Sequence, residues 1–237
     1  MKAEKTYSIN FDSRKREQKR ILEYMQQRGY KLLGFKGAKS DGQVAGIPVW
    51  FSVPYIRMAG EVENIYQSLY KVYYVDSSMP SDKSISMTAL SEVVELGSKV
   101  TLQEDGSFSV ESGGPENAIL LINNRAADSG TITAGLASLV NGNYAPFCAF
   151  KVVPQKPLRM EPNDKICLFA VPTVIRAGSV AAQAVSEGTL FELDAPHNCL
   201  RLEMKQEGEG FNPVSWGLPV AQVHSGDQLT QLMDSQH

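Results

Sequence analysis

Two short segments of the sequence carry residue types that act in catalysis or ligand binding. The first, Gly34 to Ser40 (GFKGAKS), resembles a phosphate-binding loop, in which backbone N–H groups wrap the phosphates and a lysine contacts them. Here only two residues separate the glycines, and Ala38 stands before Lys39. The glycines and the proline that follow prevent a helix from starting there. We therefore predict no nucleotide site in this segment.

The second segment, His224 to Asp227 (HSGD), contains the three residue types of a hydrolase triad. Neighbouring residues cannot turn their side chains to one point, as a triad requires. His197 and Cys199 form a single closely spaced His/Cys pair, which is a weak metal signal. We therefore predict a non-enzymatic protein without a cofactor or metal site. An enzyme whose site assembles from distant residues stays open as an alternative.

Three cysteines, Cys148, Cys167 and Cys199, each lie among apolar residues of strand-like segments. An odd number of cysteines in such surroundings is typical of buried, reduced thiols rather than of a disulfide framework. The first ten residues have no apolar core of a signal peptide. We therefore expect cytoplasmic synthesis without a signal peptide, with non-classical release left open.

Aromatic residues crowd one stretch of the chain. Seven of its twenty aromatic residues lie between Trp50 and Tyr74. Tyrosine and tryptophan combine a large apolar face with a polar edge, which suits glycan stacking and partner contacts. Because prolines flank Trp50 on both sides, we expect this segment to hold its side chains at a surface. The predicted ligand-binding residues are Trp50, Phe51, Tyr55, Arg57 and Tyr66. The alternative is that the aromatic residues form part of the core.

Basic residues concentrate near the N-terminus, although the whole chain carries a net charge of −3. Residues 1–45 hold eleven Lys and Arg against five Asp and Glu, so the remainder is acidic. A basic segment of this kind can bind a neighbouring subunit, an anionic surface or nucleic acid. We expect mainly a solvated helix face and do not favour nucleic acid as a partner. No run of about 20 apolar residues occurs, which predicts no transmembrane segment.

A set of turn residues occurs twice, about eighty positions apart. The first set is Lys71-Val72, Pro80, Gly97-Ser98, Gly106 and Pro115, and the second is Lys151-Val152, Pro162, Gly178-Ser179, Gly188 and Pro196. The stretches between these residues are strand-like in both copies. This internal repeat predicts two similar antiparallel units, at about 64–125 and 143–205, within a body spanning 46–237.

The elements that must position any site are mostly strands. Residues 13–28 are rich in helix formers before Gly29, and Ile21, Leu22 and Met25 form a short apolar stripe. A short strand, Tyr30 to Phe35, should follow, and then a Gly-rich loop from Gly37 to Gly46, so that residues 1–45 comprise mainly a basic helix and a loop. The alternating segments beyond it predict a mainly β fold. We expect an antiparallel β-sandwich or flattened barrel built from two related halves, with the helix packed outside.

A basic N-terminal helix before a tyrosine-rich β-sandwich resembles the soluble pore-forming cytolysins that are stored without a disulfide. No motif matches residue by residue, so no site is transferred. The resemblance implies a toxin-like effector that binds membranes. From the residues themselves we predict a binding protein that recognises a cell-surface, glycan, lipid or protein ligand. The alternatives are a self-assembling structural protein, in which the basic head of one copy meets the acidic body of the next, and an enzyme.

Overall fold

Strands dominate the chain in the computed structural model, which describes residues 6–11, 14–54, 63–76, 84–172, 175–193, 199–207, 210–215 and 220–234. The elements are β1 (Thr6–Phe11), α1 (Arg16–Gln27), β2 (Lys31–Ser40), β3 (Gln43–Pro48), β4 (Phe51–Pro54), β5 (Glu63–Val75), β6 (Ala89–Leu90), β7 (Ser98–Leu102), β8 (Phe108–Ser112), β9 (Ile119–Asn123), β10 (Ile132–Val140), β11 (Asn143–Pro146), β12 (Ala149–Val152), β13 (Pro157–Val171), β14 (Val180–Ala181), β15 (Gly188–Glu192), β16 (Cys199–Glu207), β17 (Gly210–Ser215), β18 (Val220–Val223) and α2 (Leu229–Asp234). Strands make up 58% of the structure, which confirms the predicted mainly β class.

The strands pair into two layers that face each other across the main core. One layer follows the order β16, β1, β5, β10, β12 and β3. The other follows β8, β7, β9, β13, β2 and β4, with β15 and β18 beside the second half of β13. Most neighbours are antiparallel, whereas β1 with β16 and β7 with β9 run parallel. The arrangement is consistent with the predicted β-sandwich with an N-terminal helix.

Alternation along β5 shows how the strands fill the core. Tyr70, Val72 and Tyr74 face the main core, whereas Tyr73 belongs to a smaller cluster on the opposite face of the same strand. Successive side chains of a strand point to opposite faces, which produces this division.

Strand β13 is covered on both faces. Its continuous apolar run, Ile166 to Val171, is buried throughout. Ile166 and Leu168 face the main core, while Cys167 and Phe169 face a second cluster that includes Leu229 and Met233 of the C-terminal helix α2. The strand also has neighbours on both edges, β2 on one and β9 followed by β15 on the other. Only an apolar run suits a position enclosed in this way.

The N-terminal region departs from the prediction in two respects. The helix begins at Arg16 rather than Ser13, and it ends before Gly29, whose φ of 69° suits glycine. A strand that the sequence analysis missed, β1, precedes it and pairs with both β5 and β16. The expected Gly-rich loop at residues 37–46 is also wrong, because most of these residues belong to β2 and β3.

The proposed repeat is matched at one pair of glycines and not at another. Gly97 and Gly178 both have positive φ and occupy the same place in a turn, since Ser98 and Ser179 each donate a backbone hydrogen bond three residues back. Gly106 lies in a hairpin turn, whereas Gly188 begins β15. Pro80 and Pro196 fall outside the described residues, so the superposition of the two units stays a prediction.

Candidate functional site: a charged groove beside helix α1

The aromatic segment around Trp50 lies inside the molecule. Trp50 is 0% exposed and Phe51 is 4% exposed, so the prediction that this segment presents them at a surface is wrong. The backbone N–H of Trp50 donates to the carbonyl of Gly34, which fastens the segment to β2. The Phe51 ring occupies the space that a side chain at Gly34 would need. The flanking prolines therefore end strands β3 and β4 without exposing the residues between them.

The other predicted ligand-binding residues are not brought together with Trp50. Tyr55 and Arg57 lie outside the described residues, and Tyr66 lies in β5 with its side chain outside the description. Their ligand-binding role stays a prediction. The described aromatic side chains of the stretch are all buried, namely Trp50, Phe51, Tyr70, Tyr73 and Tyr74. They support the alternative, in which the aromatic residues form core.

The segment that resembles a phosphate-binding loop forms strand β2. A larger residue at position 37 would collide with the side chain of Asn163, so glycine suits this position. Lys36 is fully buried, donates a hydrogen bond to the backbone carbonyl of Asn163, and lies 5.5 Å from the centre of the Phe147 ring. A buried strand offers no row of N–H groups to a phosphate, because the strand ladder already uses them. The segment is therefore a strand and not a phosphate-binding loop.

His224 contacts a carboxylate, but not the one beside it in sequence. Its Nδ1 lies 2.9 Å from Oε2 of Glu187, while the Asp227 carboxylate accepts the backbone N–H of His224. Asp227 therefore stabilises the turn and does not orient the imidazole ring. Within the described ranges, no group of three or more His, Cys, Asp and Glu side chains has the arrangement of a metal site.

The three thiols differ in exposure. Cys148 and Cys167 are buried, as predicted, whereas Cys199 is exposed at the start of β16, so the prediction is wrong for that residue. Burial raises the pKa of Cys148 to about 12, against smaller opposing contributions from the Leu136 N–H and the Lys36 charge. Burial also raises the pKa of Cys167 well above its ordinary value. Both buried thiols therefore stay protonated and unreactive near neutral pH.

A glutamine side chain joins α1 to strand β16. Gln18 is buried, its Nε2 donates to the Met204 carbonyl at 2.9 Å, and its Oε1 accepts the Met204 N–H at 2.7 Å. Leu22 and Met25 continue the same helix face into the main core. A side-chain amide that satisfies both backbone groups of one strand residue fixes the helix at that position.

Beside this contact lies a groove of about 920 Å³. The first turns of α1 form one wall, and β16 with one residue of β17 forms the other. Its lining residues are Arg16, Glu17, Gln18, Arg20, Ile21, Glu203, Met204, Lys205, Gln206 and Val214. The volume falls within the range of small-molecule and cofactor sites. The groove is the larger candidate for a binding site, since a second cavity near Lys36 measures only about 10 Å³.

Positive charge prevails on the helix side of this groove. Between residues 14 and 28 there are six Lys and Arg against two Glu, and all eight side chains are exposed. Lys15 is paired with Glu203 at 2.5 Å. Within the described part of the chain, no carboxylate forms an ion pair with Arg16 or Arg20. These two guanidinium groups are therefore available to carboxylate, sulfate or phosphate oxygens of a ligand.

The sequence analysis missed both Gln18 and the groove. Gln18 precedes Leu22 by four residues and Met25 by seven, so it lies on the same helix face as the apolar stripe. A glutamine at that position is a signal of a buried polar contact, although its partner is 186 residues away and has no local signature.

No helix among the described residues combines the length and the apolar character needed to cross a membrane. Comparison with known protein families, with curated proteins and with solved structures finds no match to this chain.

Proposed function

We propose that this chain is a non-enzymatic binding protein that recognises an anionic glycan of a cell surface through the groove beside α1. The observation that carries the proposal is the pair Arg16 and Arg20, exposed on one wall of the groove and without an acidic partner among the described residues. Arginine forms paired hydrogen bonds with carboxylate and sulfate groups, which line acidic polysaccharides.

The way in which α1 is held favours a glycan over a lipid bilayer. Leu22 and Met25 are buried in the main core, so the apolar face of the helix is already used. Tyr24, at 45% exposed, is the one large apolar side chain that the helix presents to solvent. An interfacial helix needs an apolar face that is free to enter the membrane. A cytolysin-like insertion would require α1 to leave the sandwich and break the Gln18 contacts with Met204.

A rigid helix also reduces the cost of binding. Gln18 and the buried stripe hold α1 in place before any ligand arrives, so little backbone order has to be gained. The cations around the groove attract an anionic chain over a distance set by the ionic strength. We therefore expect affinity that falls steeply with added salt.

Heparin-derived oligosaccharides, used as a model of a sulfated glycan, test the proposal. Isothermal titration should detect binding at low salt, and Arg16→Ala/Arg20→Ala should weaken it by more than about tenfold because two charge-assisted contacts are lost. Lys156→Ala/Arg176→Ala removes two exposed cations elsewhere and serves as the matched control. A neutral dextran should not bind. Equal affinity of both double variants for heparin would contradict the proposed site.

A further inference from the structure

The end of the sandwich that carries the β7–β8 hairpin is acidic. Residues 91–117 contain six exposed acids and one lysine, Lys99, which pairs with one of the acids, Glu111, at 3.3 Å. The exposed acids are Glu92, Glu95, Glu104, Asp105, Glu111 and Glu116. This acidic end and the basic groove therefore have opposite charge on one molecule.

The two charged regions lie at opposite ends of strand β5. β1, which leads into α1, pairs with residues 63–67 of β5, while β6 pairs with Tyr73 and Tyr74 on the same edge. Tyr74 contacts Phe108 of the hairpin, with ring centres 5.8 Å apart. A strand of this length spans roughly 40 Å at about 3.3 Å per residue. Because of this separation, one molecule cannot bring its own hairpin into its own groove.

The hairpin tip is closed by hydrogen bonds and presents two carboxylates. Glu104 and Asp105 form the turn, which is closed by hydrogen bonds between Gln103 and Ser107 and between Gly106 and Gln103. Asp105 accepts hydrogen bonds from the hydroxyl and the backbone N–H of Ser107. These bonds lower the pKa of Asp105, led by the hydroxyl contact, so its carboxylate stays charged. A fixed turn of this kind binds with little loss of conformational freedom.

We propose that the acidic hairpin tip of one copy docks into the basic groove of a second copy, so that the chains associate head to tail. The groove offers Arg16 and Arg20, and the tip offers Glu104 and Asp105, so the charges are complementary. Because the two surfaces differ, a dimer still presents one free hairpin on one copy and one free groove on the other. A contact of this type produces open chains or closed rings rather than a closed dimer.

Sedimentation velocity over a range of protein concentrations tests this association. At about 0.01 M salt the average mass should rise with concentration, and at about 1 M salt it should return to that of one chain. Arg16→Glu/Arg20→Glu and Glu104→Lys/Asp105→Lys should each abolish the association, while Lys156→Glu/Arg176→Glu should not. Circular dichroism and a thermal melt confirm that each variant is folded.

Mixing the two non-associating variants gives the sharpest result. The groove variant retains an acidic tip, and the hairpin variant retains a basic groove, so an equimolar mixture should associate again. The reversed groove and the reversed tip are also opposite in charge, so this association can continue beyond the dimer. A wild-type chain that stays monomeric at low salt overturns the inference. So does association that survives either charge reversal, or a mixture that forms no dimers although the wild type associates.

This inference uses the same groove as the proposed glycan site, and the two are separable. The hairpin variant should lose self-association and keep its affinity for heparin, whereas the groove variant should lose both. A chain that binds heparin but remains monomeric contradicts the association alone. A chain that associates but does not bind heparin contradicts the glycan proposal alone.

Discussion

The aromatic segment around Trp50 and the helix α1 are both rich in residue types that bind ligands, but the two regions place these side chains in different environments. Trp50 and Phe51 point into the sandwich, whereas the arginines of α1 point into solvent beside a groove. The aromatic segment is held by backbone pairing with β2, and the helix is held by a few side chains of one face. Residue type identifies what a side chain can bind, while pairing partners decide whether it is exposed.

The largest effect should follow truncation of the buried indole. Trp50→Ala removes a fully buried side chain and leaves a cavity, which we expect to cost roughly 3–5 kcal/mol in the free energy of unfolding. Chemical denaturation measures the change. Val44→Ala, at a 37% exposed position of β3, is a control that should cost much less. A small loss of stability together with a loss of ligand binding would contradict the core role of Trp50 and assign it to ligand recognition.

A smaller loss should follow removal of the helix clamp. Gln18→Ala deprives the Met204 N–H and carbonyl of the Gln18 amide, and we expect a cost of roughly 1–3 kcal/mol. The exposed Gln27→Ala on the same helix should change stability by less than about 0.5 kcal/mol. Equal stability of the two variants in denaturant would show that Gln18 does not hold α1.

The burial of Cys148 makes the free energy of unfolding depend on pH. Cys148 is protonated in the fold because its pKa is raised to about 12, while in the unfolded chain it ionises near its ordinary 9.0. Its contribution to stability is therefore present below pH 9 and is lost as the pH rises toward 12. Between about pH 9 and 10 the loss should be roughly 1 kcal/mol for this thiol. Cys148→Ser should flatten that part of the pH profile measured by denaturation.

Cys199 supplies a control for the burial of Cys148. It is exposed, so its thiol should react quickly with a labelling reagent in the native protein. Cys148 should react only after unfolding. Rapid labelling of Cys148 in the native protein would indicate that the core around this thiol opens to solvent.

The smallest effect on stability should follow a substitution in the groove. Arg20→Ala removes an exposed side chain without an ion-pair partner among the described residues, so the melting temperature should change little, corresponding to less than about 0.5 kcal/mol. Heparin affinity should fall nonetheless. A marked loss of stability instead would assign Arg20 to packing against the sandwich and weaken the glycan proposal.

Features that depend on neighbours in sequence were predictable. The alternation of Leu200, Leu202 and Met204 with charged residues predicts a strand buried on one face, and the structure confirms it. The hairpin turn at Glu104 to Gly106 and the helix end before Gly29 follow from glycine at positions that need positive φ. Each of these features is determined by fewer than about ten consecutive residues.

Features that depend on distant partners were not predictable. The burial of Trp50 requires Gly34 to leave room for Phe51, and no local pattern shows that these residues meet. The groove requires Gln18 and Met204 to come together across most of the chain. Strand β1 has no continuous apolar run, and its place between β5 and β16 arises from long-range pairing.

The parallel pairing of β1 with β16 determines when the chain can finish folding. Asn10 and Cys199 meet in this pair although 189 positions separate them in sequence. At about 5–20 residues per second, a ribosome needs roughly 10–40 seconds to make the intervening chain. During that time β1 cannot reach its final neighbour, and part of its edge stays open to other chains. Contacts of such long range also slow the search for the native state. The yield of folded protein should therefore depend strongly on temperature and chaperones during synthesis.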